Sequence, residues 1–328
     1  MKKMDLIWGR LVCMVLMVMG VSTHAFSAGI AKIDVPAYGH EALLKAMVWT
    51  PCTRSSVLIP MGPFQIEGTP NCPVEGNALP LVIISHGKGT SMLSHHDTAR
   101  ALANAGFVVV TFNHAGDSFG DETASLDLKI FESRVRDVSR IVSFMTEQWQ
   151  GREHLDSKAI GVFGFSRGGY TALALAGAKP HLTSGANRVC VVKEAAENVL
   201  CHQFNDTTLM LSPTPDSRIR AIVVVDPLNL FDAKGLQSIN IPVQLWASEY
   251  GGDGVLLQHS EEIRDALKLS AFHVAKGAGH FAFLAPCPSA LTKELPELCK
   301  DPQGFDRVIW HKEMNSAVVQ FFRQQLFH

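Results

Sequence analysis

Residues 158–177 read KAIGVFGFSRGGYTALALAG, and their interpretation decides the fold. A short apolar run ends at Gly164, Ser166 follows between small residues, and an alanine-rich helical pattern begins at once. Gly164, Ser166 and Gly168 match G-x-S-x-G, the pattern in which a strand turns sharply into a helix and lifts a serine hydroxyl above a sheet. The glycines are needed because a side chain in so tight a turn collides with neighbouring backbone. Five residues of this kind also occur by chance, so the weight comes from the context: a strand before the serine and a helix after it.

Working outward, apolar runs rich in β-branched residues recur as LPLVIISHG, GFVVVTFNH, RIRAIVVVDP, IPVQLWAS and AFHVAKGAGH. Their apolar residues are continuous rather than alternating, which predicts strands buried on both faces. Amphipathic helical patterns lie between them, at roughly 95–105, 126–149, 167–178, 259–269 and 306–326. Alternating strand and helix predicts an α/β fold, with a mainly parallel, doubly wound sheet covered by helices on both faces. ALLKAMVWTP, at 42–51, is expected as an antiparallel edge strand. Residues 180–217 interrupt the alternation and form either a small cap insertion over the site or a surface excursion.

Ligands of open α/β sheets bind beyond the carboxyl ends of the strands. Those ends carry His86, His114, Asp117, Ser166, Asp226, Glu249, Asp253 and His280. A serine hydroxyl needs a base oriented by an acid to become a nucleophile, and in folds with this elbow the chain order is serine, acid, histidine. His280 follows the last strand in a small-residue loop and is the expected base; the alternative is a ring packed against Phe281 and Phe283. Asp226 and Asp253 both stand at strand ends, and either could hold the imidazole. SHGKGTS, after the strand at 80–85, supplies the expected oxyanion donor at the Lys88 amide, with the Arg167 amide as the other. A phosphate loop is the rival reading of HGKGTS, but the glycine spacing of a Walker motif is absent. His95 and His96 are adjacent and point about 100 degrees apart on a helix, so they do not converge on a metal; Asp97 beside them is expected to cap that helix.

Composition narrows the classes. The 328 residues are 47% hydrophobic and 18% charged, the balance of a globular chain, and a single domain over 26–328 is expected. Twenty-nine basic and 31 acidic side chains, with no basic run, make nucleic acid a poor partner. MKKMDLIWGR is basic, Leu11–Val21 is apolar and STHAFSAG is small and polar, the layout of a signal peptide cut after Ala25. The apolar stretch is far short of the roughly 20 residues that span a bilayer, so no membrane span is expected after cleavage and the mature chain is expected in the periplasm or outside the cell. Cys13 lies inside that stretch without the small preceding residue a lipidation site needs.

Six cysteines then remain, and they form sequence-local pairs: Cys52 with Cys72, Cys190 with Cys201, and Cys287 with Cys299. An even number in an exported chain predicts disulfides, whereas metal ligation lacks any C-x-x-C spacing.

Taken together, LVIISHGKGTSMLSHHDTARALANAGFVVVTFNHAGD, GFSRGGYTAL, VVVDPLN and GAGHFAFLAPC resemble the α/β-hydrolase family of predicted dienelactone hydrolases, whose relatives include platelet-activating-factor acetylhydrolase and chlorophyllase. The likeness runs from about residue 32 to the C-terminus. It implies a serine hydrolase of small-molecule carboxylic esters with no cofactor or metal. In the acetylhydrolase and chlorophyllase the acid stands at the place of Asp226, whereas many other α/β-hydrolases take it one strand later, at the place of Asp253. True dienelactone hydrolases carry a cysteine nucleophile where this chain has Ser166. An amidase, an acyltransferase and a non-catalytic binding protein on the same fold are the alternatives.

Overall fold

The structure is a computed structural model that describes residues 26–190, 199–206, 208–269 and 271–327. The signal peptide expected over 1–25, with Cys13, lies outside the described residues. Ten strands form one sheet in the order β10-β9-β8-β7-β5-β6-β2-β1-β4-β3. Its centre is the expected parallel set: β5 (Leu79–Ser85), β6 (Val108–Phe112), β7 (Leu155–Phe165), β8 (Ile219–Val225), β9 (Val243–Ser248) and β10 (Phe272–Ala275).

Successive side chains on a strand point to opposite faces, so each continuous apolar run feeds two cores. Leu81, Ile83, Val108, Val110, Ile160, Val162, Ile222 and Val224 pack on one face. That face is covered by α2 (Ile130–Glu147), α3 (Arg167–Leu175) and α6 (Leu257–Leu267). Val82, Ile84, Val109, Phe163, Val223 and Val225 face the other way, against α1 (His96–Asn104) and α7 (Arg307–Leu326). Burying each such aliphatic side chain stabilises by about 1.5–3 kcal/mol.

The expected edge strand is antiparallel but not at an edge. β2 (Leu44–Cys52) sits between β6 and β1 (Ser27–Val35), antiparallel to both, and the sheet continues through β4 (Phe64–Pro70) to β3 (Val57–Met61). The physical reason lies in its burial. All but one of its residues are buried, and its backbone groups are paired on both sides, with β6 and with β1, which spares the interior strand an open ladder. β3 is the true edge; it exposes Val57 and Leu58 and carries Pro60, a residue without a ladder donor that suits an edge.

The three expected disulfides are present: Cys52–Cys72, Cys190–Cys201 and Cys287–Cys299. The interrupting segment folds in part into α4 (Leu182–Val189) and α5 (Val199–Asn205), which the second disulfide joins. It is anchored on two sides. Arg188 Nε donates to Glu262 on α6 at 2.6 Å, and Gln203 bonds the Leu126 carbonyl and the Leu128 amide ahead of α2, each at 2.8 Å. Among the described residues, no helix is long and apolar enough to cross a membrane.

Candidate active site

The elbow forms where β7 passes into α3. Ser166 takes φ 56° and ψ −115°, a conformation that costs a non-glycine residue of order 1–3 kcal/mol and survives only where its surroundings enforce it. Those surroundings are backbone. A Cβ on Gly164 would stand 2.0 Å from the Gly168 carbonyl oxygen, and one on Gly168 would stand 1.9 Å from that of Ser85. Ser166 N–H donates to Val225 at 2.9 Å, and its carbonyl accepts from Leu228 at 3.0 Å, which ties the elbow to the end of β8.

The end of β8 carries Asp226, fully buried and itself at φ 43°. Its Oδ2 accepts from His280 Nδ1 at 2.7 Å and from Ser248 Oγ at 2.6 Å, while Oδ1 accepts from Ser248 N–H at 2.9 Å. His280 is buried as well. Its N–H donates to the Gly251 carbonyl at 2.7 Å, and its ring stacks on Phe165 at 4.7 Å, placing it against the residue before Ser166. Nδ1 is therefore engaged by the carboxylate, while Nε2 has no hydrogen-bond partner among the described residues. Glu249 fixes the loop that bears His280, accepting from Gly277 N–H at 2.8 Å and from Lys276 Nζ at 3.1 Å.

Asp253 is brought elsewhere. It is exposed at φ 49° in the turn that closes Gly252 against Val255, with no bond to His280. Gly251, Gly252 and Gly254 around it all take positive φ, in a turn that leaves Asp253 exposed. Of the two aspartates left open by the sequence, the geometry joins only Asp226 to His280.

The loop after β5 passes directly beside the elbow, since a Cβ on Gly87 would lie 3.3 Å from Ser166 Cβ. The Gly87 carbonyl accepts from His86 Nδ1 at 2.7 Å and Thr90 Oγ1 at 3.1 Å. In a trans peptide the N–H points opposite its carbonyl, so the Lys88 N–H faces away from these partners. It has no hydrogen-bond partner among the described residues. Arg167 opens α3, where the first N–H groups of a helix lack internal partners.

Beneath this loop lies a buried polar network that sequence reading did not assign. His114 Nδ1 meets Asp137 at 3.0 Å, its Nε2 shares a hydrogen bond with Ser85 Oγ at 2.9 Å, and its backbone N–H donates to His86 Nε2 at 3.2 Å. The tautomers follow. His86 accepts at Nε2 and so donates from Nδ1. Burial, and next to it the Arg134 charge, holds His86 and His114 well below the ordinary histidine pKa, so both rings are neutral at pH 7. Burial pushes Asp137 up to about 7, against the opposing pull of Arg140. Arg134 and Asp137 were detectable as charged residues inside the apolar stripe that Phe131, Val135, Val138 and Ile141 make along α2.

Asp97 does not cap α1. The N-cap residue is His95, without a side-chain cap bond, and Asp97 instead accepts from His311 Nδ1 at 2.7 Å and Asn315 Nδ2 at 2.8 Å, both on α7. Although burial opposes ionisation, the His311 partner holds its carboxyl well below the usual range. His96 donates from Nδ1 to the Leu93 carbonyl at 2.9 Å.

The sheet order, with the strand-to-helix elbow and the buried carboxylate and imidazole at the strand ends, is that of the α/β-hydrolase fold. A family model described as serine aminopeptidase, S33, matches residues 76–192, a span that includes Ser166 and ends before Asp226 and His280. Among solved structures, the chain is similar to a ferulic acid esterase from Streptomyces cinnamoneus, with 16% identity, a TM-score of 0.61, and coverage of 93% of this chain and 91% of that one. A dienelactone hydrolase from Anabaena variabilis aligns at 17% identity and TM-score 0.48, covering 92% of this chain and 99% of that one. No curated protein matches the sequence.

Proposed function

We propose that this chain is an exported serine hydrolase that cleaves carboxylic esters. The observation that carries the proposal is the buried His280–Asp226 pair, bonded at 2.7 Å, beside a serine held at positive φ. In this reading Ser166 Oγ attacks the ester carbonyl, and His280 Nε2 takes the serine proton and returns it to the departing alcohol. Asp226 holds the ring in the tautomer with hydrogen on Nδ1 and stabilises the imidazolium. The amides of Lys88 and Arg167 receive the developing oxyanion, each donor of this kind contributing about 3 kcal/mol. Water then hydrolyses the acyl-enzyme with His280 as base.

Export is supported by the three disulfides, which persist in oxidising compartments. The likeness to a ferulic acid esterase supports the fold on which ester cleavage is proposed. The aminopeptidase family model favours a second reading, hydrolysis of an amide by the same groups. Wild-type protein is expected to hydrolyse short p-nitrophenyl esters and to be labelled by a fluorophosphonate, and Ser166→Ala is expected to lose both. Unchanged ester turnover in Ser166→Ala overturns the proposal, and faster cleavage of aminoacyl anilides than of esters selects the amide reading.

A further inference from the structure

Both groups proposed to bind the oxyanion belong to segments tied to one buried carboxylate. The Arg167 side chain turns inward, where Nη1 donates to Asp117 Oδ1 and Oδ2 at 3.1 and 3.2 Å and to the Ser125 carbonyl at 2.9 Å. Its guanidinium lies over the Phe131 ring, 5.4 Å from the centroid. Asp117 is wholly buried, and its Oδ2 also accepts from Arg134 Nη1 at 2.7 Å. Arg134 Nη2 in turn donates to the carbonyl of His86, and its Nε to Thr171 Oγ1 at 3.4 Å. The path therefore runs from the loop at His86–Lys88 through Arg134 and Asp117 to Arg167, with the side chains of these last three out of solvent.

Stability alone is a poor account of this arrangement. Two guanidinium groups share the Asp117 carboxylate in a dry region, and burial lowers Arg134 to about 10, with Arg167 adding to that shift and Asp117 and Asp137 opposing it. Well-packed apolar residues of similar volume stabilise an interior at least as well as buried ion pairs. The guanidinium fork does what an apolar side chain cannot: it grips a carboxylate and a backbone carbonyl at once in a fixed geometry.

We infer that Asp117 and Arg134 are positioning residues that, with the Arg167 side chain, hold the Lys88 and Arg167 N–H groups at the separation the oxyanion requires. The inference rests on the serine hydrolase reading above. A preorganised hole contributes mainly in the transition state, so its loosening appears in kcat rather than in KM.

Arg134→Met keeps an unbranched apolar stem and removes the guanidinium with both of its grips. It is expected to lower kcat on p-nitrophenyl butyrate by about 10–100-fold, in the range that misplacement by about 1 Å produces, with KM within about threefold. Inhibition by an alkyl boronic acid, which forms a tetrahedral adduct on the serine, weakens in proportion to the loss of kcat. Arg134→Lys recovers only part of the loss, because an ammonium is a point donor rather than a fork. If Arg134→Met does not give a cooperative thermal transition, Asp117→Asn and Arg134→Lys carry the same comparison, each expected to lower kcat with KM little changed. A folded variant with wild-type kcat, or one whose loss is confined to KM, overturns the positioning role. Ser166→Ala measured alongside separates the failures: activity there sinks the hydrolase reading, whereas an inactive Ser166→Ala beside a fully active Arg134→Met sinks the positioning role alone.

Discussion

At Asp226 a single carboxylate meets three donors, and the two from Ser248 leave it one direction in which to face His280. An asparagine there could present its amide N–H to the ring and stabilise the wrong tautomer. Asp226→Asn is therefore expected to lower kcat by about 10³–10⁴-fold, while Asp253→Asn, on an exposed turn, stays within about twofold; steady-state kinetics of the two variants check this. The sequence offered both aspartates because both follow strands at one sheet edge. It could not separate them, because the choice depends on the φ of 43° at Asp226 and on the glycine-rich turn that carries Asp253 outward. Ser248 left no signal at all, since a serine at a strand end is ordinary until a carboxylate is found beneath it.

Among elements, the elbow shows why G-x-S-x-G was legible. Its glycines are dictated by contacts within and beside the motif, so the local pattern carries the geometry. Gly168→Ala places a methyl 1.9 Å from the Ser85 carbonyl oxygen, where backbone of β5 cannot yield. Thermal or urea denaturation is expected to show a loss of more than about 3 kcal/mol, or no folded protein, beyond the usual range for a single substitution. The five helices expected from apolar periodicity match α1, α2, α3, α6 and α7, whereas α4 and α5 fall in the segment that interrupts the alternation. The strands at β1, β3 and β4 were not read, because their residues are only partly buried and lack the continuous apolar runs that marked β5 to β9. β2 looked like an edge because β1, its partner on the side away from β6, was among those missed.

For the molecule as a whole, acid sensitivity follows from neutral histidines in the core. His95 lies between the rings of Phe163 and Phe165, each centroid 5.3 Å away, and burial lowers its pKa to about 3 despite the attraction of Asp97. The unfolded chain protonates this ring near its ordinary pKa of about 6.5 while the folded chain does not, so unfolding takes up a proton below that value. Stability is then present above about pH 6.5 and is lost as pH falls toward 3, with a slope near 1.4 kcal/mol per pH unit for this one group. His86 and His114, lowered by burial too, act in the same direction; raised Asp137 opposes them between about pH 4 and 7. Urea melts of wild type and His95→Leu over pH 4–7 check the sign: the variant is expected to show the shallower decline, and an equal or steeper one refutes the assignment.

What the amino-acid sequence determined by itself is the class of fold, the elbow at Ser166, the imidazole at His280 and the cysteine pairing. Each of these is written in short-range patterns: continuous apolar runs, glycines required by a tight turn, and cysteines close enough along the chain to close small loops. The partner of His280, the interior place of β2, the bond from Asp97 to His311 and the chain from Asp117 through Arg134 were decided only by the tertiary structure. They join residues far apart in sequence, and a buried polar group is satisfied by whichever partner the packing brings within hydrogen-bonding distance.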